Sequence, residues 1–175
     1  MTALDILDSW RQAFPDVPPV GYLVRASYPG RWLRIHSLPE SKRYPGSEPE
    51  MNEVLRRHNA VAADVLGREG CALITGAYSG AAAGAWSVSL QDTEEEPYGL
   101  NLSVQSTTWE AGAHDGLLRS VAEATSGPVL FYSVRTGQAY APYDGGADLF
   151  FRDGASRDAG SGPFASWRSP LESGS

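Results

Sequence analysis

The sequence predicts an α+β fold in which about three helices pack on a mainly antiparallel sheet. Short runs in which apolar and polar residues alternate, at 86–90 and 100–105, are typical of half-buried antiparallel strands. Apolar residues recur at helical spacing between Met51 and Leu66. Because the connections between the predicted strands have the length of hairpin turns, the sheet is expected to be mainly antiparallel, with the helices covering it.

The N-terminal part contains one predicted helix and two predicted strands. The helix covers residues 2–14, where apolar residues fall on one side. An extended segment is predicted over 20–28, followed by a turn in which Pro29 presets φ and Gly30 takes a positive φ. The next strand, 31–38, alternates apolar and polar side chains and therefore has one core face and one polar face.

The clearest helix signal begins at Ser47. This serine is the predicted N-cap, and Glu50, three residues later, completes a capping box. Gly67 is the predicted C-terminal residue in the left-handed conformation. A buried strand over 71–78 follows, and it begins with Cys71, which is expected to act as a small core side chain.

The C-terminal half is also predicted to contain one helix and several strands. A helix is predicted over 112–125 and strands over 128–134 and 147–152. Turn residues at 136–137 and 144–146 separate the last strands.

We expect a single domain over residues 1–153. The remaining segment, 154–175, is rich in glycine and serine, a composition that disfavours order. Phe164 and Trp167 are the side chains expected to anchor this tail partly to the domain.

Charge and cysteine content exclude several classes of protein. The 175 residues include 14 basic and 21 acidic side chains, a net charge of −7, so a chain-wide nucleic-acid-binding surface is not expected. A single cysteine excludes an intrachain disulfide and a multi-cysteine zinc site. No apolar run is long enough to cross a membrane and no signal peptide is visible, so we expect a cytoplasmic protein without a membrane partner.

No cofactor motif is visible either. The glycine-rich fingerprints of dinucleotide and phosphate loops are absent, as is the serine elbow of hydrolases. Histidines at positions 36, 58 and 114 lack the short-range spacing of metal ligands, so neither a metal nor a cofactor is expected.

One group of candidate residues surrounds the end of the 31–38 strand. Arginine, lysine and histidine together can hold a phosphate or a carboxylate, because arginine supplies a bidentate fork and lysine a point charge. The alternative is an exposed polar strand face followed by a solvated loop. The candidates of this group are Arg34, His36, Ser41, Lys42, Arg43 and Tyr44.

A second candidate, His58, lies among apolar residues of the 47–66 helix. Its apolar surroundings lower the pKa of a histidine, so it can be a general base or a core histidine bonded to a neighbour. Asn59 lies at the edge of the buried stripe and can reach a neighbouring loop.

A third candidate is the loop that contains Asp144 and Asp148 around a double glycine. The two carboxylates can bind a cation or orient an arginine, but a tight turn with a glycine at positive φ also explains the pattern. Asp144 is then expected to accept backbone N–H bonds within the turn. Asp148 faces away from Leu149 and has no role in the turn.

Two stretches resemble a family of small uncharacterised bacterial proteins. One is R-I-H-S-L-P-E-S-K-R-Y-P at 34–45 followed by L-R-R-H-N at 55–59, and the other is P-Y-D-G-G-A-D at 142–148. The resemblance covers most of residues 20–152 and implies no activity, cofactor or partner. The segment S-W-R-S-P at 166–170 is only loosely similar to the Trp-Leu-Ser type of ending that the resemblance implies.

Two functions remain open from the sequence. The first is a non-catalytic binding or interaction protein of the accessory or immunity type, which is favoured because no nucleophile–base pair or cofactor loop is recognised. The partner is unknown, and a protein partner is one alternative. The second is a small enzyme that acts on an anionic substrate through an Arg/Lys/His pocket. The enzyme would be favoured if His36, Lys42, Arg43, His58 and Asp144 lined one cavity.

Overall fold

A computed structural model describes residues 2–79, 87–90, 98–160 and 162–168. Within these ranges, seven strands form one antiparallel sheet with the order β1-β7-β6-β5-β2-β4-β3. The strands are β1 Trp32–His36, β2 Gly70–Ser79, β3 Ser87–Leu90, β4 Tyr98–Thr108, β5 Val129–Ser133, β6 Gln138–Tyr143 and β7 Gly146–Phe150. The predicted run at 86–90 lies partly outside the described residues, since Trp86 precedes β3.

The described residues contain five α-helices rather than about three, although the α+β class is confirmed. They are α1 Ala3–Ala13, α2 Gly21–Ser27, α3 Glu48–Leu66, α4 Asp115–Ala122 and α5 Gly154–Gly160. Three of them match predicted helices. The two additional helices occupy the segment predicted to be extended and the glycine-rich segment after residue 153.

The prediction of an extended segment at 20–28 was wrong. Its β-branched and aromatic residues favour strands, but Val20 and Val24 are spaced one helical turn apart and both are buried. Helix α2 also packs very closely on β6, because a Cβ placed on Gly21 would lie 2.9 Å from the Cβ of Ala141. Packing of one short helical face against the sheet therefore overrides the local strand preference.

Helices cover both faces of the sheet. On one face, α3 and α4 form a core with alternate residues of the strands, including Leu33 and Ile35 of β1. On the other face, α1 and α2 bury Trp10 and Val24 against the other side of the same strands. The alternation predicted for β1 is therefore confirmed, and its polar residues lie on the same face as α2.

The start of α3 differs in detail from the predicted capping box. The Ser47 side chain accepts a hydrogen bond from the Glu50 N–H, as predicted. The Glu50 carboxylate, however, accepts from the N–H of Gly46 at 2.6 Å and from Lys42 Nζ at 2.6 and 2.7 Å. At the other end, Gly67 has the predicted positive φ of 74°, but its ψ of −168° lies outside the left-handed helical region.

The turn before β1 was also predicted incorrectly. Residues Pro29–Arg31 form a short 3-10 helix, and Gly30 does not adopt a positive φ. Arg31 stabilises this segment, since its side chain donates to the carbonyls of Phe151 and Ala13 at 2.7 and 3.0 Å.

The segment after residue 153 contacts the α3 side of the sheet. Asp153 accepts a hydrogen bond from the Ser156 N–H at 2.7 Å at the start of α5. Phe164 is buried in the α3 core, and Trp167 stacks on it with ring centroids 5.3 Å apart. Arg168 forms an isolated β-bridge to Ile35, on the outer side of β1.

Candidate functional site

A pocket of about 300 Å³ lies between α2 and the β6–β7 hairpin, on the face that α1 and α2 cover. It is lined by Gly21, Tyr22, Arg25, Arg34, Arg43, Tyr78, Pro128, Val129, Ala141, Pro142, Tyr143, Asp144 and Asp148. A second pocket of about 240 Å³ shares five of these residues and is completed by Val121, Ala124, Ser126 and Gly127. Because they share five lining residues, the two pockets are adjacent, and we call them together the tyrosine–arginine groove.

Asp148 is the most deeply placed charge in this groove. Its side chain is 7% exposed and accepts hydrogen bonds from Arg34 Nε at 2.8 Å, Arg34 Nη2 at 3.1 Å and Trp32 Nε1 at 2.9 Å. Burial is the largest single influence on the pKa of Arg34 and lowers it, but the hydrogen bonds with Asp148 and the charge interactions with Asp148 and Tyr143 together raise the pKa above its ordinary value. Asp148 faces away from the core occupied by Leu149, as predicted, and its carboxylate is buried and paired.

Arg25 approaches the same carboxylate from α2. Its Nη1 lies 3.7 Å from Asp148 Oδ2, which is an ion-pair distance but longer than a hydrogen bond. The Arg25 guanidinium also lies 5.7 Å from the ring centre of Trp32. The sequence analysis missed Arg25 because the residue falls in a segment that was predicted to be a strand.

A second arginine–carboxylate pair forms the rim of the groove. Arg43 donates from Nε and Nη2 to the two oxygens of Asp144, both at 3.0 Å, and Tyr44 donates to Asp144 Oδ2 at 2.9 Å. The hydrogen bond to Asp144 raises the pKa of both Arg43 and Tyr44. Asp144 thus binds the preceding 39–46 loop, whereas the sequence predicted that it would accept N–H bonds within its own turn.

The double glycine of this hairpin has a different role from the predicted one. Neither Gly145 nor Gly146 has a positive φ. A Cβ on Gly146 would instead lie 2.0 Å from the carbonyl oxygen of Ile35, which precedes its ladder partner His36 in β1. A Cβ on Gly145 would lie 3.1 Å from the ring of Tyr143 and 3.2 Å from Arg43 Cγ. Close approach of neighbouring groups, not left-handed backbone, therefore requires glycine at position 146.

The arginines and the lysine that were expected to hold a phosphate or a carboxylate are each paired with a carboxylate of the protein itself. Arg34 binds Asp148, Arg43 binds Asp144, and Lys42 binds Glu50 at the start of α3. Lys42 does not line the groove, and neither does the exposed Ser41, which has a φ of 58°.

His58 lies on the opposite side of the sheet, in the α3 core. It is 2% exposed, its Nε2 lies 2.7 Å from Ser37 Oγ, and its Nδ1 is hydrogen-bonded to the hydroxyl of Tyr140. Complete burial lowers the pKa of His58 to about 4, so the ring is neutral at pH 7. Sequence reasoning predicted the buried histidine but not its two partners, since Ser37 and Tyr140 are far from it in the chain.

His36 and Asn59 also lie away from the groove. The pKa of His36 is lowered by partial burial and by the charges of Arg34 and Arg57. Its Nε2 is buried without a hydrogen-bond partner among the described residues. Asn59 joins α3 to the start of α4 and to the loop before it, since it donates to Asp115 Oδ1 at 2.8 Å and accepts from the Gly112 N–H at 2.9 Å.

The groove therefore brings together four of the ten candidates and leaves the other six outside. The four are Arg34, Arg43, Asp144 and Asp148. The groove residues that the sequence analysis missed include Arg25 and three tyrosines, at positions 22, 78 and 143. Tyr143 lies within a stretch that the analysis had singled out, but nothing in a single sequence connects it with the distant Tyr22 and Tyr78.

The described lining of the groove consists of tyrosine, arginine, aspartate, serine and small or apolar residues. Neither histidine nor cysteine lines it. Burial raises the pKa of Tyr143 to about 12, so its phenol remains protonated and can donate a hydrogen bond. Cys71 lies fully buried in β2, and burial raises the pKa of its thiol to about 11. The part of the chain that the structure describes contains no group of three or more potential metal ligands.

Comparison with family models matches residues 20–172 to a family described as Domain of unknown function (DUF3885). The chain belongs to this family. The DUF3885 match includes α2 and all described strands, so the tyrosine–arginine groove lies within the family domain. It also extends past residue 153, through α5 and Phe164. No curated protein and no solved structure matches the chain. Across the described ranges, no helix has the length and apolar character needed to cross a membrane.

Proposed function

We propose that this DUF3885 protein is a non-catalytic binding protein that holds a segment of a protein partner in the tyrosine–arginine groove. The observation that carries this proposal is the lining of the groove, in which three tyrosines and two prolines lie beside three arginines. Tyrosine and arginine are enriched at protein interfaces, because they combine a large contact area with hydrogen bonding.

Exposure of the aromatic side chains supports this proposal. Tyr22 and Tyr78 are 40% and 57% exposed, and both line the pocket. A partner that covered them would remove a large apolar area from water while the hydroxyl groups remained able to hydrogen-bond. Pro128 and Pro142 line both pockets and add apolar surface to each of them.

The charged groups of the groove favour binding over proton-transfer chemistry. Asp144 and Asp148 each accept bidentate hydrogen bonds from an arginine, so their carboxylate oxygens are already engaged within the protein. His36 and His58, the proton-transfer residues of the alternative enzyme, do not line the groove. An enzyme acting on an anionic substrate is therefore the less favoured function.

Affinity capture with groove variants tests the proposal. The tagged protein, a Tyr22→Ala/Tyr78→Ala variant and a Leu4→Ala control would be incubated with a lysate of the source organism. Leu4 is the matched control because it is 71% exposed on α1 and lies outside the groove. We expect a partner that is retained by the wild type and the control and lost by the double variant. Partners retained equally by all three folded proteins would contradict the proposal.

A further inference from the structure

We propose that the Arg25 end of the groove binds the terminal carboxylate of the partner segment. This inference rests on the proposed function and names the chemical group that the groove selects. It assigns to Arg25 the role of anchoring an extended peptide chain by its C-terminus.

Arg25 differs from the other arginines of the groove because, among the described residues, it forms no close hydrogen bond with an aspartate. Arg34 and Arg43 each donate two hydrogen bonds to an aspartate. Arg25 Nη1 remains 3.7 Å from Asp148 Oδ2, although its side chain is 37% exposed and lines the pocket. Asp148 already accepts three closer hydrogen bonds from Arg34 and Trp32. The guanidinium of Arg25 can therefore donate to an incoming group without breaking a hydrogen bond to Asp148.

The charge of the pocket selects a monoanion. Three arginines and two aspartates line it, so these side chains carry one net positive charge. A carboxylate neutralises this charge and can accept two parallel N–H bonds from a guanidinium. A phosphate dianion would carry excess negative charge next to Asp144 and Asp148, which disfavours it.

The shape of the groove favours the end of a chain over an internal acidic side chain. Gly127 lines the smaller pocket, Pro128 and Tyr143 line both pockets, and Arg25 of α2 lines only the larger one, so Arg25 marks the α2 end of the groove. At that end α2 contacts β6 directly, because Gly21 packs against Ala141. An extended segment that follows the groove thus meets the wall formed by α2 beside Arg25, where its last residue would lie.

Binding of paired peptide mixtures tests this inference. An N-acetylated tetrapeptide mixture, randomised at all four positions, would be prepared with a free C-terminal carboxylate and with a C-terminal carboxamide. Binding would be followed by NMR through the side-chain Nε–H signal of Arg25 and the ring signals of Tyr22 and Tyr78. We expect the carboxylate mixture to bind at least about tenfold more tightly, since a guanidinium forms stronger hydrogen bonds with a charged carboxylate than with a neutral carboxamide.

Variants separate the role of Arg25 from general effects of charge. Arg25→Ala should weaken binding of the carboxylate mixture about tenfold or more and leave binding of the carboxamide mixture unchanged. Arg25→Lys should restore part of the loss, because it keeps the charge without the bidentate fork. Arg11→Ala, which removes an exposed arginine of α1 paired with Asp8, is the control and should bind as the wild type does.

Each negative result of these experiments contradicts a different part of the proposal. Equal binding of both mixtures at the tyrosines would overturn the carboxylate site and leave the groove as a binding surface. The same conclusion follows if carboxamide peptides with an internal aspartate bind as tightly as peptides with a free C-terminal carboxylate. It also follows if inorganic phosphate displaces the peptides from Arg25 more effectively than acetate does. Absence of any shift with either mixture, in protein shown to be folded by its melting curve, would contradict both this inference and the proposed function.

Discussion

Arg34 and Asp148 are direct cross-strand partners in the β1–β7 ladder, and their side chains form two hydrogen bonds on the α2 face of the sheet. The pair therefore links strand register to the groove: the same backbone pairing that joins the two strands also places the charges. A shift of one residue in this register would move Asp148 to the α3 core, where a carboxylate has no partner.

Asp148→Asn is expected to destabilise the protein by about 3 kcal/mol, because breaking a buried ion pair leaves the Arg34 charge uncompensated. The asparagine amide would also place N–H donors against those of Arg34 and Trp32. Urea unfolding at pH 7 measures the change, with Asp8→Asn, an exposed carboxylate of α1, as the control. A loss below about 0.5 kcal/mol, the range of exposed sites, would show that the pair is not buried in solution.

Stability should fall as the pH decreases from about 6.5 toward 4, because His58 has a pKa of about 4 in the folded protein and an ordinary value near 6.5 when unfolded. In this range the unfolded chain binds a proton that the folded chain does not, so the His58 contribution is complete above pH 6.5. Its loss should amount to about 1.5 kcal/mol between pH 6.5 and 5.

Urea unfolding at these two pH values, for the wild type and for His58→Gln, measures the His58 contribution by difference. The glutamine variant should lose markedly less stability on acidification. His36→Gln is the matched control, since the pKa of His36 is also lowered but the ring is only partly buried. Identical pH dependence of the wild type and His58→Gln would contradict the buried neutral histidine.

Gly146→Ala and Gly145→Ala should differ strongly, although the two glycines are adjacent. The new methyl group at position 146 would overlap the carbonyl oxygen of Ile35, and backbone cannot move aside without opening the β1–β7 ladder. We expect a loss of at least about 2 kcal/mol. At position 145 the neighbours are side-chain atoms of Tyr143 and Arg43, so the loss should stay below about 1 kcal/mol. Thermal melting distinguishes the two, and equal effects would argue against the close approach at Gly146.

Phe164→Ala should destabilise the protein by about 3 kcal/mol, because it removes a buried aromatic side chain from the α3 core. Trp167→Ala should cost less, since Trp167 is only partly buried and covers Phe164 and the guanidinium groups of Arg56 and Arg57. The comparison tests how firmly the segment after residue 153 is attached to the domain. If Phe164→Ala leaves the melting temperature unchanged, this segment contributes nothing to the stability of the folded domain.

The sequence predicted those elements whose signals are local. Helix α3 carries a cap, a first-turn proline and a complete apolar stripe, and β1 alternates over its whole length. Helix α2 carries no such signal, since its N-cap Val20 makes no side-chain hydrogen bond and only packing against β6 favours the helix. Among the site residues, Arg34 and Asp148 could be singled out by type. Their pairing could not, because it depends on register between strands 114 residues apart.

Consecutive residues of β1 contribute to different layers of the molecule. Ile35 packs in the α3 core, whereas Arg34, its neighbour, lies in the groove beneath α2. The exposed groove side chains can therefore be exchanged without repacking the α3 core, provided that the β1–β7 pair retains opposite charges. Under the proposed function, this division would let the fold acquire new binding preferences through few substitutions. Changes at Tyr22, Arg25 and Tyr78 would alter selectivity with little loss in the free energy of unfolding. Under the proposed binding function, the groove is accordingly a suitable target for laboratory evolution.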